Sequence, residues 1–323
     1  MADVTDMAFR QIIVECGNPA SAKASAGKPD VFYTEFVSCD GLCSEKGRLK
    51  LLPHLKFGEN ERPIVAQFFG SKPDNFYKCA QLAVELGFDG IDINMGCPAG
   101  KIVKQDSGAG LILNPKLAQE IIRETKRGAS RLPVSVKTRI GYNTIDTENW
   151  ISKLIEAEPA AIMIHGRTQK EMSKVPVHWD EIGKAAKLCH AAGIPIIGNG
   201  DVMSYQEGLD KAKEYHLDGI MIGRGVFQNP WVFNPEVNPM TKTPQEKINL
   251  LKKHIHNFLE LWNPPEAGAL QARNFDVMKR FIKIYINDFQ GAKTLRDELM
   301  TKRNAPDTLK VLARWEKDVH MEG

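Results

Sequence analysis

Two kinds of segment alternate along most of this 323-residue chain. Short apolar runs fall at Val31–Val37, Ile64–Phe68, Gly90–Asn94, Pro133–Lys137, Ala160–His165, Ile194–Gly198 and Gly219–Ile222. Between them lie stretches with helical spacing, at Pro73–Leu86, Pro115–Lys126, Thr147–Glu156, Asp180–His190 and Tyr205–Tyr215. Asn114-Pro115 and Ser204 are good helix starts. An Asn or Ser oxygen accepts an orphan N–H of the first turn, and proline has no N–H there to satisfy. Strand and helix alternating this regularly imply a parallel sheet of βαβ units. About eight such units close into a (β/α)8 TIM barrel of roughly 250 residues. An open doubly wound sheet would carry a dinucleotide fingerprint after its first strand, and the chain has none.

Only seven strand-like runs are present. Helix one is predicted to begin near Asp3 or Thr5, so the barrel's first strand is expected upstream of Met1. Gly17–Pro29 is small and polar, and reads as a flexible surface insertion. After Pro230-Trp231 the strand signal ends. Gln245–Trp262 and Phe275–Asn287 have amphipathic helical spacing, with shorter helices at Leu295–Thr301 and Thr308–Val319. The expected organisation is a barrel domain over 1–234, a linker over 235–244 and a small helical domain over 245–323.

No run of about 18 apolar residues crosses a membrane and no signal segment opens the chain. Six cysteines show no tight pairing pattern, and Cys39 and Cys43 lack the second pair a zinc site needs. A reducing cytoplasm, structural thiols and no metal are expected. Net charge is only +3, but it is unevenly placed. Thr241–Gly323 holds 15 Lys and Arg against 11 Asp and Glu, while residues 1–240 hold 28 against 29. That distribution hints at a polyanionic partner for the tail.

Barrel active sites lie at the carboxyl ends of the strands. Here those ends carry Glu35, Gln67, Asn94 with Cys97, Lys137 with Arg139, His165, Asn199-Gly200-Asp201 and Gly223-Arg224. A core built only for stability does not need a polar group at nearly every strand end, because buried polar groups must find partners. The glycine-containing ends of the last two strands suit a phosphate, whose oxygens take backbone N–H groups, with Arg224 adding a charged fork. A phosphate site in a barrel suits flavin mononucleotide. Lys137 would place positive charge beside the N1–C2 edge of the ring, and Gln67 and Asn94 would bond flavin or substrate edges. Cys97, between Gly96 and Pro98, would face the flavin and donate a proton as a general acid. Hydride from flavin N5 and a proton from Cys97 would together reduce an activated C=C bond.

These residues resemble those of the tRNA-dihydrouridine synthases over most of the chain. The matching segments are Met1-Ala2-Asp3-Val4-Thr5-Asp6 with Phe9-Arg10, Thr34-Glu35-Phe36, Ala66-Gln67-Phe68-Phe69-Gly70 and Asn94-Met95-Gly96-Cys97-Pro98. Further on come Val136-Lys137-Thr138-Arg139-Ile140-Gly141, His165-Gly166-Arg167-Thr168, Gly198-Asn199-Gly200-Asp201 and Gly223-Arg224. The resemblance implies an FMN-dependent cytoplasmic enzyme with a helical tRNA-binding domain. It implies NADPH (or NADH) as reductant of the flavin, and reduction of C5=C6 of a uridine in the tRNA D-loop. Hydride goes to C6, and Cys97 protonates C5. Met1, Gln67, Lys137, His165, Asn199, Gly200, Asp201, Gly223 and Arg224 are implied FMN contacts. Asn94 and Arg139 are expected near the uracil, and Lys101 and Lys104 near the RNA backbone. Lys252, Lys253, Lys279, Arg280, Lys283, Lys293 and Arg296 are candidates for a cationic RNA surface. A monomer is expected. Two other readings remain at this point: a flavin barrel oxidoreductase acting on a dihydroorotate- or enone-type small molecule, and a tRNA-binding chaperone without catalysis.

Overall fold

A computed structural model describes residues 3–17, 27–264 and 272–321. In chain order the first elements are α1 (Met7–Gly17), β1 (Phe32–Tyr33), β2 (Val37–Ser38), α2 (Cys39–Leu42), α3 (Glu45–Leu51), β3 (Ile64–Phe69) and α4 (Pro73–Glu85). There follow β4 (Gly90–Asn94), α5 (Gly100–Val103), α6 (Pro115–Gly128), β5 (Val134–Arg139), α7 (Thr147–Ile155) and β6 (Ala161–His165). The α/β part ends with α8 (Trp179–Ala191), β7 (Ile196–Asn199), α9 (Tyr205–Glu214) and β8 (Gly219–Met221). The remaining helices are α10 (Pro244–Trp262), α11 (Lys279–Tyr285), α12 (Ala292–Thr301) and α13 (Ala305–Met321). By compactness the chain forms two units. One is Asp30–Arg224; the other joins Asp3–Pro29 to Gly225–Gly323.

The first unit is a β/α-barrel sheet. All its ladders are parallel, in the order β1-β3-β4-β5-β6-β7-β8 with β2 also on β3. Among the described residues no ladder joins β8 back to β1. The predicted run Val31–Val37 is two short strands rather than one. Thr34 explains the break: the Gln67 N–H is taken by the Thr34 hydroxyl at 3.0 Å instead of by a strand carbonyl. Crossover helices bury one face each, as Phe76, Cys79, Ala80 and Ala83 do in α4. Each large apolar side chain so buried contributes about 1.5–3 kcal/mol. α4 and α6 meet closely at Gly128, where a Cβ would stand 2.3 Å from the Tyr77 carbonyl oxygen.

The second unit is helical, and it contains α1. A 3.6-residue period announces a helix but not its partner, and sequence order had grouped α1 with the barrel. The Phe9 ring lies 5.5 Å from His254 and 5.1 Å from Phe281. Asp6 caps α1 by accepting the Phe9 N–H at 3.0 Å, and accepts the Trp262 indole N–H at 2.7 Å. α10 starts with a reciprocal box between Thr243 and Glu246. Of the expected insertion Gly17–Pro29, residues 18–26 lie outside the described residues.

Candidate active site

Parallel register stacks the strand-end residues of the first unit in rows. Gln67, Asp92, Ser135 and Ala161 form one row; Asn94, Lys137, Met163 and Ile197 form the next. Arg139, His165, Asn199 and Met221 form a third, nearer the carboxyl ends. Side chains alternate between faces, so residues two apart on one strand share a face. Ser135, Lys137 and Arg139 therefore climb the same side of β5. The site is built from regular strands, which hold side chains more rigidly than loops do.

Cys97 follows β4. Its N–H and that of Gly96 donate to Asn94 Oδ1, at 2.9 and 3.1 Å. This local turn fixes where the thiol begins. Asn94 Nδ2 donates to Gln67 Oε1 at 3.2 Å, and Gln67 Nε2 to Asp92 Oδ2 at 2.7 Å. The far side of the loop is closed by Gly108, whose φ of 58° and 2.8 Å Cβ approach to the Cys97 carbonyl oxygen suit only glycine. The thiol is half-buried. Desolvation raises its pKa above the ordinary thiol value, against the pull of an Ala99 backbone hydrogen bond and the Arg139 charge. Cys97 is therefore a protonated thiol at neutral pH.

Lys137 reaches Asn199 Oδ1 at 2.9 Å, and Asn199 Nδ2 reaches the Met221 carbonyl at 2.8 Å. Burial first, then the Arg139 charge, lowers Lys137 to about 8. Arg139 donates from Nε to the Gly96 carbonyl at 2.7 Å and from Nη1 to the Thr168 and Met172 carbonyls at 2.9 and 3.0 Å. It ties the Cys97 loop to the loop after β6. His165 is pushed down to about 2, by burial first and then by Lys137, Arg139 and Arg167. Its imidazole is neutral and offers hydrogen bonds without charge. Asp201 sits in the left-handed region at φ 46° and pairs with both Arg167 and Arg224. Hydrogen bonding to Arg167, the largest cause, holds its carboxyl below the usual range.

The structure thus gathers Gln67, Asn94, Cys97 and Arg139 into one hydrogen-bonded network, with Lys137–Asn199 and His165–Arg167–Asp201 as further groups at the neighbouring strand ends. Gly200 adjoins Asn199 and Asp201 in sequence, Gly223 adjoins Arg224, and a Cβ at Gly223 would meet nothing within 4 Å. Lys101 and Lys104 are exposed around α5 and do not join the network. Glu35 instead bonds His54 Nδ1 at 2.7 Å. Met1 lies outside the described residues. Sequence reading passed over Asp92 and Ser135, paired at 2.8 Å beneath Gln67, and gave no role to the buried Arg167. Among the described residues no group of three His, Cys, Asp or Glu is arranged to hold a metal, and no helix is long and apolar enough to cross a membrane.

The network lies in a chain that matches the dihydrouridine synthase family over residues 1–319. A probable tRNA-dihydrouridine synthase of Staphylococcus aureus (strain COL) is 40% identical over 329 residues, covering 100% of this chain and 94% of the relative. Probable tRNA-dihydrouridine synthase 2 of Bacillus subtilis (strain 168) is 40% identical over 320 residues, covering 98% of this chain and 92% of that protein. A Staphylococcus epidermidis relative (strain ATCC 35984), a probable tRNA-dihydrouridine synthase, is also 40% identical, covering 98% of this chain and 92% of its own length.

Proposed function

Because the chain belongs to the dihydrouridine synthase family, we propose that it reduces the C5=C6 bond of a uridine in the tRNA D-loop, with FMN as cofactor and NADPH as reductant. The observation that carries the reading is a protonated, half-buried thiol held at a strand end beside buried cations. The donor set fits a flavin. Lys137 suits an electron-rich ring edge, since positive charge there favours the reduced form. The N–H groups around Gly200 and Gly223, with the half-exposed Arg224, suit a phosphate. Reduced FMN, when bound, supplies the hydride that goes to C6.

The chain's own residues supply the rest. Cys97 gives its proton to C5 as a general acid and is left as a thiolate, to be reprotonated from water. The Arg139 charge favours that thiolate. Neutral His165 and the Asn199 amide orient the ring, and Gln67 and Asn94 hold the Cys97 loop against it. Arg139, expected beside the uracil, has Nε and Nη1 on carbonyl oxygens, so its role is to pin that loop. A base stacked in the D-loop must leave its stack to reach such a site. The helical unit is the proposed RNA-holding part. The experiment is an absorbance spectrum of the purified protein, then NADPH and unmodified tRNA, with dihydrouridine quantified. A flavin spectrum with product, and loss of product in C97A, is the expected result. Bound flavin without product would replace the RNA by a small-molecule substrate.

A further inference from the structure

Three hydrogen bonds join a fully buried carboxylate to the Cys97 loop. Gln67 Nε2 donates to Asp92 Oδ2 at 2.7 Å, Asn94 Nδ2 to Gln67 Oε1 at 3.2 Å, and the Cys97 N–H to Asn94 Oδ1 at 2.9 Å. The direction is set at both ends. An ionised carboxylate can only accept, and a backbone N–H can only donate. Turning either amide over would set donor against donor or acceptor against acceptor. The second carboxylate oxygen is held by the Ser135 hydroxyl at 2.8 Å. Among the described residues the Asp92 carboxylate hydrogen-bonds Gln67 and Ser135, and its link to the Cys97 loop runs through the two amides.

We propose that Asp92 is a positioning residue: it fixes the orientation of the Gln67 and Asn94 amides and, through them, the placement of the Cys97 thiol. The importance of that placement rests on Cys97 being the proton donor proposed above, but the effect is read on Cys97 itself. The groups facing Asp92 are Tyr33 on β1, Gln67 on β3, and Ser135 and Lys137 on β5. Burial raises Asp92 to about 6. Once protonated, it still has a carbonyl oxygen that can accept from Gln67 while its hydroxyl donates to Ser135, so the order of the chain can be kept.

The test compares wild type with D92A, D92N and Q67M. Hydrogen exchange of the Cys97 N–H and iodoacetamide alkylation of Cys97 are followed by mass spectrometry, with thermal unfolding to confirm folding. Losing the chain in D92A or Q67M should speed exchange about tenfold, the equivalent of one net hydrogen bond. The Cys97 alkylation rate should shift with it. D92N should stay close to wild type, since its oxygen can accept from Gln67 while its amide donates to Ser135. In wild type, protection corrected for intrinsic exchange should hold as pH drops through about 6, as it does in D92N. A folded D92A or Q67M with wild-type exchange and alkylation overturns the proposal. So does a D92N no closer to wild type than D92A. If D92A does not fold, Q67M decides alone. None of these readouts depends on FMN or tRNA, so failure of the dihydrouridine assay leaves them standing.

Discussion

The two compact units dispose of their charged groups in different ways. In the barrel unit Arg139 and Arg167 are buried, Lys137 is largely so, and His165 among them is kept neutral by burial first and then by their positive charge. In the helical unit the interior is largely apolar and aromatic, its buried charges Asp6, Arg10 and Lys247 are held by hydrogen bonds, and many other charges pair with one another near the surface. Lys252 meets Glu316, Lys253 meets Glu15, Lys279 meets Asp276 and Arg314 meets Glu298. Exposed pairs of this kind contribute about 0–1 kcal/mol each, whereas buried charge destabilises unless fully partnered. The barrel therefore retains an arrangement that stability alone would not favour, and this locates the chemistry.

The sharpest way to break this contrast is at the thiol. C97A removes a small half-buried side chain, so it should change stability by less than about 1 kcal/mol. Loss of a general acid should lower dihydrouridine formation by about 10²- to 10⁴-fold with flavin still bound. Activity within a few-fold of wild type would move the proton source elsewhere. R167M comes next. It takes one guanidinium from Asp201, which is then held only by the half-exposed Arg224. A strained Asp201 without its main partner should weaken FMN binding by at least about tenfold, from the loss of a charge-assisted pair. Fluorescence titration reads it, and unchanged affinity would make the Arg167–Asp201 pair purely structural.

The helical unit's own buried titratable group gives a smaller, pH-dependent test. His254 is buried among Phe9, Phe281 and Tyr285, bonded to the Tyr285 hydroxyl at 3.0 Å, and burial pushes its pKa down to about 3. Its Nε2 finds no partner among the described residues. As pH falls below the unfolded value of about 6.5, the unfolded chain takes the proton first, so stability is lost between roughly pH 6.5 and 3. H254F leaves the Tyr285 hydroxyl unpaired, which costs about 1 kcal/mol near pH 7.5. It also removes the titration, worth about 1.4 kcal/mol per pH unit below 6.5. Urea unfolding should therefore show H254F less stable than wild type at pH 7.5 and more stable at pH 5. Parallel pH profiles would mean that His254 is not the titrating group.

How much of this was legible beforehand depended on whether the signal was local. Strands such as Ile64–Phe69 and Gly90–Asn94 announce themselves as short apolar runs between helical segments, and parallel topology then gathers their ends without further information. Gln67, Asn94, Lys137 and His165 follow from that rule. Asp92 did not, because an acid alternating with apolar residues reads as solvent-facing, while the inward face of this sheet is polar near its carboxyl ends. Arg167 was invisible for another reason: its partner Asp201 is 34 residues away, and only the fold pairs them. Helix α1 was placed correctly as a helix but grouped with the barrel, since amphipathic spacing does not name the surface it meets. The tail's excess of Lys and Arg was countable. Which of those charges are already paired was not.

That last distinction yields the finest test of the contrast. Of the seven candidates for an RNA surface, Lys252, Lys253 and Lys279 hold ion pairs, and Arg280 and Arg296 donate to the Asp3 and Ile286 carbonyls. Lys283 and Lys293 are exposed and, among the described residues, make no ion pair or side-chain hydrogen bond. A lysine already paired must give up its partner to meet a phosphate, so it contributes less to binding than a free one. Reversing Lys283 or Lys293 to Glu should weaken tRNA binding a few-fold and lower the salt slope by about 1 each. K279E should change binding less, although it also sets like charges together at Asp276, which unfolding measurements would register. If K279E weakens binding as much as K283E, the ion pair opens on contact with RNA. The helical unit would then hold its charges in reserve rather than being satisfied by them.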